Sequence, residues 1–320
     1  MTRKILTLAK SIQPNTNIFA NRLFACIKEA TPRALKTAIW ILKITIPVSF
    51  VVSMLNYFGV IQLLTRYLSP AFNLIGLRGE ASLAFVTGIL LNIYSAIATI
   101  SQLTLNLREI TILAVMSLIA HNLMVETAIQ SKTGSKAWHM VALRVGAAFG
   151  AAALLNLILP DFSQKIPFAA NSHSILNFSD ALINWVYSSF RLILNIVLLV
   201  SMLMILQKIL QEFNLIQLLS KPLNPLLKLM GLPPSTSFLW IVANSLGLAY
   251  GSAVMLEEVR QNRVSRRDAD LLNYHIAISH SNLEDLLLFA ALGVPILWML
   301  IPRVIIAIAA VWGRRFFVNR

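Results

Sequence analysis

IAHNLMVETA, residues 119–128, sets His121, Asn122 and Glu126 inside a run that is otherwise apolar enough to cross a bilayer. Further along, ISHSNLEDLL, residues 278–287, repeats the pattern: His280 stands for His121, Ser281 for Asn122 and Asp285 for Glu126. An ionisable group in a membrane span is costly, and faces a cavity or a partner. Its recurrence at matching places reads as a duplicated membrane scaffold with polar groups held inside it.

Composition agrees with the membrane placement. Of 320 residues, 57% are hydrophobic and 12% charged, too little charge for a soluble domain of this length. Apolar helical runs fall at about 36–57, 81–100, 109–128, 140–159, 181–210, 235–255, 271–291 and 294–313. Several approach the roughly 20 residues that a spanning helix needs. The net charge of +14 reads as Lys and Arg flanking the spans on the cytoplasmic side of a bacterial inner membrane. No soluble basic domain is present to bind nucleic acid. The single cysteine, Cys26, excludes an intramolecular disulfide and a cysteine metal cluster. No Walker-type phosphate loop and no nucleophile-plus-base constellation stands out, so neither a motor nor an enzyme is expected, and no cofactor. The expected partners are the lipid bilayer and a small-molecule or ion substrate, and a homo-oligomer is compatible with this reading. The basic first 36 residues lack the apolar core of a cleaved signal peptide. Phe19, Leu23, Cys26 and Ile27 share one face of a helix that would lie on the inner membrane surface, the alternative being a solvated positive anchor.

The chain reads as a basic N-terminal segment (1–33), a first unit (34–160), an extracytoplasmic linker (161–180) and a second unit (181–320). Each unit has a long span, an amphipathic stretch, a Gly-Leu pair, a short polar-studded segment, the span with His and acid, and a last span. The amphipathic stretches, Val60–Leu74 and Leu215–Met230, are broken by Pro70 and by Pro222 and Pro225, and read as interfacial. Gly76-Leu77 answers Gly231-Leu232, and Tyr94 answers Tyr250.

Residues 81–104 and 235–256 are rich in small and polar side chains, which permit a bend at mid-depth. If both segments enter and return, the Lys and Arg outside the spans divide 20 inside to 4 outside, with Lys132, Lys136 and Arg144 among those inside. If both cross fully, the division worsens to 16 and 8. Charge asymmetry therefore favours re-entrant hairpins. Each unit then has three spans, an odd number, so the two units are inverted and both termini are cytoplasmic. The expected fold is an all-α polytopic membrane protein of two inverted repeats, each with three spans, a re-entrant hairpin and an interfacial helix.

Residues four apart share a helix face, which pairs Asn122 with Glu126, Ser281 with Asp285 and His280 with Glu284. A two-fold arrangement brings these helices together near mid-bilayer, so that two histidines and three carboxylates face one cavity. Histidine titrates near neutral pH and suits proton coupling, and histidine with carboxylates also suits a divalent metal. Asn92, Tyr94, Ser95, Asn244, Tyr250 and Ser252 would line the hairpin tips, where broken helices aim free amides at a ligand. The alternative is helix–helix glue, in which these groups satisfy one another and move nothing. Glu284 and Asp285 lie early in their span and read as partly wet. Lys43, Arg191 and Arg303 read as snorkelling side chains, and the stretch 257–270 as a solvated loop.

FVTGILLNIYSAIA (85–98) with IAHNLMVET (119–127), and IVANSLGLAYGSAV (241–254) with ISHSNLEDL (278–286), resemble the nucleoside-recognition, or Gate, domain family over residues 34–315. That family includes parts of concentrative nucleoside transporters, the membrane part of the ferrous iron transporter B, and the spore maturation proteins A and B. The resemblance implies a scaffold of inverted repeats with re-entrant hairpins, and a polar break in the later span. It carries a nucleoside site onto Asn244 and Ser252 with Ser279, Ser281 and Asn282. The chain departs from the nucleoside pattern by lacking Gln-Thr-Glu in the first hairpin and an acid in the second before Glu257. The expected function is a secondary transporter-like permease of a nucleoside-like or other small polar solute, with protons as the coupling ion. A divalent-metal permease and a non-transporting structural or signalling protein of the spore-maturation type are the alternatives.

Overall fold

The computed structural model describes residues 16–160, 162, 177–215 and 222–318. The described residues are helical with no strand among them, as a bilayer demands of a chain that must satisfy its backbone internally. The first half runs α1 (Thr16–Tyr57), α2 (Val60–Asn73), α3 (Ala81–Leu90), α4 (Ile93–Ile100), α5 (Leu107–Ala120), α6 (Leu123–Lys132) and α7 (Ala137–Ile158). The second runs α8 (Phe178–Glu212), α9 (Asn224–Leu229), α10 (Ser237–Ser245), α11 (Leu248–Arg260), α12 (Arg266–Ile276), α13 (Asp285–Ala290) and α14 (Ile296–Val318).

Five stretches are long and apolar enough to cross a membrane, in α1, in α5 with α6, and in α7, α8 and α14. In the α5–α6 stretch 72% of the spanning window is buried in protein, against 28% to 31% in the others. The α5–α6 stretch is thus the central post, and the other four turn a face to lipid. α5 starts at Leu107 because Asn106 and Glu109 cap it reciprocally, each side chain accepting from the other's amide at 2.8 Å. Such a cap contributes about 0.5–2 kcal/mol. Arg78 ties this cap to the preceding loop, donating to Glu109 Oε1 at 2.7 Å and to the Thr104 carbonyl.

Residues 81–100 and 237–260 double back as helical hairpins, as their small residues lead one to expect. α3 and α4 fold against each other at Leu91–Asn92, so that the Thr87 and Thr99 hydroxyls lie 3.0 Å apart. α10 and α11 turn at Leu246–Gly247. The arms cross where one of them lacks a side chain. A Cβ on Gly88 would lie 3.1 Å from that of Ala96, and one on Gly251 would lie 2.9 Å from the Ala243 Cα. The Gly-Leu pairs end α2 and α9 with the same left-handed turn, at φ 72° for Gly76 and 77° for Gly231. The Leu77 and Leu232 amides reach back to the Phe72 and Leu227 carbonyls at 3.0 and 2.8 Å, closing each helix end.

Several expectations give way. α1 is one helix of 42 residues from Thr16, so residues 16–33 are continuous with the helix of the first span. Residues 1–15 are outside the described residues. Cys26, Ala30, Ala34 and Ala38 form a buried stripe of small side chains, whereas Ile27, expected on the same face as Cys26, is exposed. Arg22 pairs with Glu212 at 3.0 Å and Glu29 with Lys208 at 2.9 Å, fastening α1 to α8. A helix of this length spans about 63 Å, twice the roughly 30 Å hydrocarbon core. Pro70 sits inside α2 without ending it. Of the second amphipathic stretch, 216–221 lies outside the described residues and α9 covers only six residues.

The stretch 257–270 is helical on both sides of a short turn. Arg263 donates to the Glu258 carboxylate at 2.5 and 2.8 Å, and that hydrogen bond holds the carboxyl below the usual range. Asp270 is buried, accepting from Ser135 at 2.6 Å and from Arg314 at 2.8 Å. Lys43 and Arg191 are exposed, in keeping with snorkelling.

Candidate functional site

The runs 109–128 and 271–291, expected as continuous spans, are each interrupted. α5 ends at Ala120 and α6 begins at Leu123, and α12 ends at Ile276 with α13 beginning at Asp285. In the interruptions Asn122 and Ser281 take left-handed φ values of 50° and 48°, costly for any residue with a Cβ and more so for serine than for asparagine. A break frees backbone groups that lipid cannot hydrate.

Both breaks are satisfied in the same way. Arg144 donates from Nε to the Ile119 carbonyl and from Nη2 to the His121 carbonyl, both at 2.7 Å. Arg303 donates from Nε to the Ile278 carbonyl at 3.1 Å and from Nη2 to the His280 carbonyl at 2.8 Å. From the other side, the Asn122 amide donates to the Gly88 carbonyl at 2.8 Å, and the Ser281 amide to the Ala243 carbonyl at 3.1 Å. Gly88 and Ala243 are the crossing residues of their hairpins, so hairpin, break and arginine are tied together in each half.

The two arginines correct the sequence reading. Arg303 does not snorkel, and Arg144 does not sit in a cytoplasmic loop: both lie within helices and are fully buried. A signal for them exists in the sequence, since each follows its histidine by 23 residues.

The two breaks meet at one junction. His121 Nε2 lies 3.3 Å from Glu126 Oε1 and 3.4 Å from Asp285 Oδ2. His280 Nε2 lies 3.4 Å from Glu126 Oε2, and Arg144 Nη2 lies 2.7 Å from the same oxygen. The imidazole centroids are 5.2 Å apart. All four side chains are buried, including Asp285, expected to be partly wet. Glu126 and Asp285 each occupy the first turn of the helix that follows a break, where free amides favour a carboxylate. The Nδ1 atoms of His121 and His280 face the Ser117 and Ile276 carbonyls at 2.9 and 2.7 Å. A carbonyl only accepts, so each ring carries a proton on Nδ1 and turns Nε2 into the junction. His280 Nε2 and Asp285 Oδ2 have no hydrogen-bond partner among the described residues.

The other expected residues divide between neighbouring contacts. Glu284 does not join His280, because no helix runs through that stretch to set the four-residue spacing. It accepts instead from the Tyr94 hydroxyl at 3.1 Å and from Gln207 at 3.4 Å. Gln207, on α8, escaped the sequence reading as one amide in a long apolar run. Asn282 donates to Asn244 Oδ1 at 2.6 Å and accepts from Arg303 Nη1 at 3.1 Å. Asn92 caps α4, accepting from the Ser95 amide at 2.9 Å and hydroxyl at 3.2 Å. Ser252 is buried. The side chain of Tyr250 lies outside the described residues.

The sequence model of the Gate family, described as nucleoside recognition, matches residues 38–135, which contain the first hairpin and the first break. The uncharacterised membrane protein YvoD of Bacillus subtilis (strain 168) is 33% identical over 269 residues, covering 83% of this chain and 86% of its own. Among solved structures, CNTnw carrying two substitutions, in an outward-facing state, is similar at a TM-score of 0.43 and 15% identity, over 98% of this chain and 86% of that one.

Proposed function

The chain belongs to the Gate family of membrane proteins, and from that premise we propose that it is a transporter-like permease of a small polar or ionic solute, with its site at the junction of the two breaks. The supporting observation is the convergence of four buried ionisable side chains, His121, Glu126, His280 and Asp285, from both halves. Ionisable groups held inside a membrane scaffold are costly and mark substrate or ion pathways. A permease needs such groups for its cargo. The halves are inverted repeats in this reading, and movement of one hairpin-bearing unit exposes the junction to each side in turn. The Gate description favours a nucleoside-like solute, whereas the histidines and carboxylates favour a cation or proton.

The test is thermal stability of the purified protein against nucleosides, organic anions and divalent metals, with the His121→Ala/His280→Ala variant alongside. We expect one class to raise the melting temperature by several degrees, as saturating ligand does, and the shift to vanish in the variant. No shift from any class contradicts the reading and favours the structural alternative.

A further inference from the structure

We propose that the junction is a binding site for a divalent transition-metal ion of the Zn2+ kind, held by His121 Nε2, His280 Nε2 and a carboxylate oxygen of Glu126, with the fourth position open. The proposal rests on the reading of the junction as a binding site and names the class of its solute.

With the protons fixed on Nδ1 by the Ser117 and Ile276 carbonyls, both neutral rings aim a lone pair inward. Two carboxylates face those lone pairs. When both rings are neutral, atoms that only accept converge at the junction, and a bound cation resolves the conflict. A carbonyl that fixes Nδ1–H is also the usual outer partner of a metal-ligating histidine, setting its tautomer and ring orientation.

The spacing of the two imidazoles and Glu126 suits a small ion with three protein ligands. Bonds of about 2.0–2.1 Å place the ligands of a tetrahedron about 3.3–3.4 Å apart. His121 Nε2 lies 3.3 Å from Glu126 Oε1 and 3.4 Å from Asp285 Oδ2. Ligating atoms of His121, Glu126 and His280 all lie within 4.8 Å of one another. The donor set selects the class: two imidazoles with one carboxylate suit Zn2+, Co2+ or Fe2+, whereas Mg2+ and Ca2+ take oxygen ligands. Arg144 holds Glu126 by Oε2 and leaves Oε1 to the metal. Its positive charge also weakens the site, which suits a carried ion that has to leave. Because the ligands must be deprotonated to bind, loading expels any proton they hold, giving the histidines a direct means of proton exchange.

The experiment uses the full chain, purified in detergent, freed of metal with chelator and titrated with Co2+ by visible absorption. Expected are one Co2+ per chain, the ligand-field bands of a tetrahedral site, and their displacement by Zn2+. His121→Ala and Glu126→Gln abolish the bands, whereas His139→Ala, a histidine outside the junction, keeps them. Elemental analysis of dialysed wild-type protein loaded with Zn2+ reads the same stoichiometry without any variant. Folded wild-type protein that holds no stoichiometric metal overturns the proposal, as do bands that persist in both junction variants. If no metal binds but a nucleoside or organic anion shifts the melting temperature in a histidine-dependent way, the metal assignment fails and the permease reading stands. If nothing binds, both fail.

Discussion

Arg144→Ala is expected to remove about 3–5 kcal/mol of stability, the cost of leaving one member of a buried ion pair alone. The guanidinium is fully buried and serves three acceptors at once: the Ile119 carbonyl, the His121 carbonyl and Glu126 Oε2, each at 2.7 Å. Its removal leaves a carboxylate without its counter-charge and frees two carbonyls at a helix break. Arg144→Lys is expected to recover little, since a point charge cannot span the fork of three acceptors. Adding Glu126→Gln to Arg144→Ala is expected to restore about 0.5–3 kcal/mol, the coupling of directly interacting residues. Denaturant or thermal unfolding in detergent reads all three. Wild-type stability in Arg144→Ala would mean that the first break is held by something other than this side chain.

Arg303→Ala is the second large expected loss, for a different reason. Its contacts are the carbonyls of Ile278, His280 and Leu118 and the amide oxygen of Asn282, all neutral acceptors. The loss comes from orphaned carbonyls at about 1–3 kcal/mol each, so the two break carbonyls together account for about 2–6 kcal/mol. Neutralising the nearby acid therefore brings no rescue: Arg303→Ala with Asp285→Asn stays as unstable as Arg303→Ala alone. Recovery in that double variant would show that Arg303 acts as a counter-ion, as Arg144 does. The Leu118 contact joins Arg303 to the first half, so its loss is also expected to loosen the junction between the halves.

The repeat was legible because it is written in residue types. His121 and His280, Asn122 and Ser281, Glu126 and Asp285 can be paired from the sequence, and Asn122 and Ser281 turn out to share a left-handed backbone. The hairpins were legible because close crossing needs small residues, and Gly88, Ala96, Ala243 and Gly251 stand at the crossings.

The breaks were not legible from residue pattern. Neither 119–123 nor 276–284 contains glycine or proline, and only the family resemblance implies a break, in the later span. Their stability is tertiary: Arg144 and Arg303 come from the following span to hold the freed carbonyls. A lone cation in an apolar run reads locally as a snorkelling side chain, and only the shared spacing behind each histidine distinguishes these two. The course of residues 16–33 was hidden for a related reason. Arg22 and Lys28 read as a surface anchor until α8 supplies Glu212 for Arg22 and a partner for Glu29.

The claim at the centre of this account is that the junction opens to water to take a solute. The most direct measurement is thiol accessibility of Glu284→Cys in a Cys26→Ala background, in sealed vesicles of defined orientation. Residue 284 is half-buried beside the junction, and Cys26 is the single native cysteine. The account predicts modification by a small charged thiol reagent from at least one face of the membrane, slowed when the junction is loaded. Folded protein that stays unmodified from both faces would contradict it, and would make the junction a dry joint between the halves.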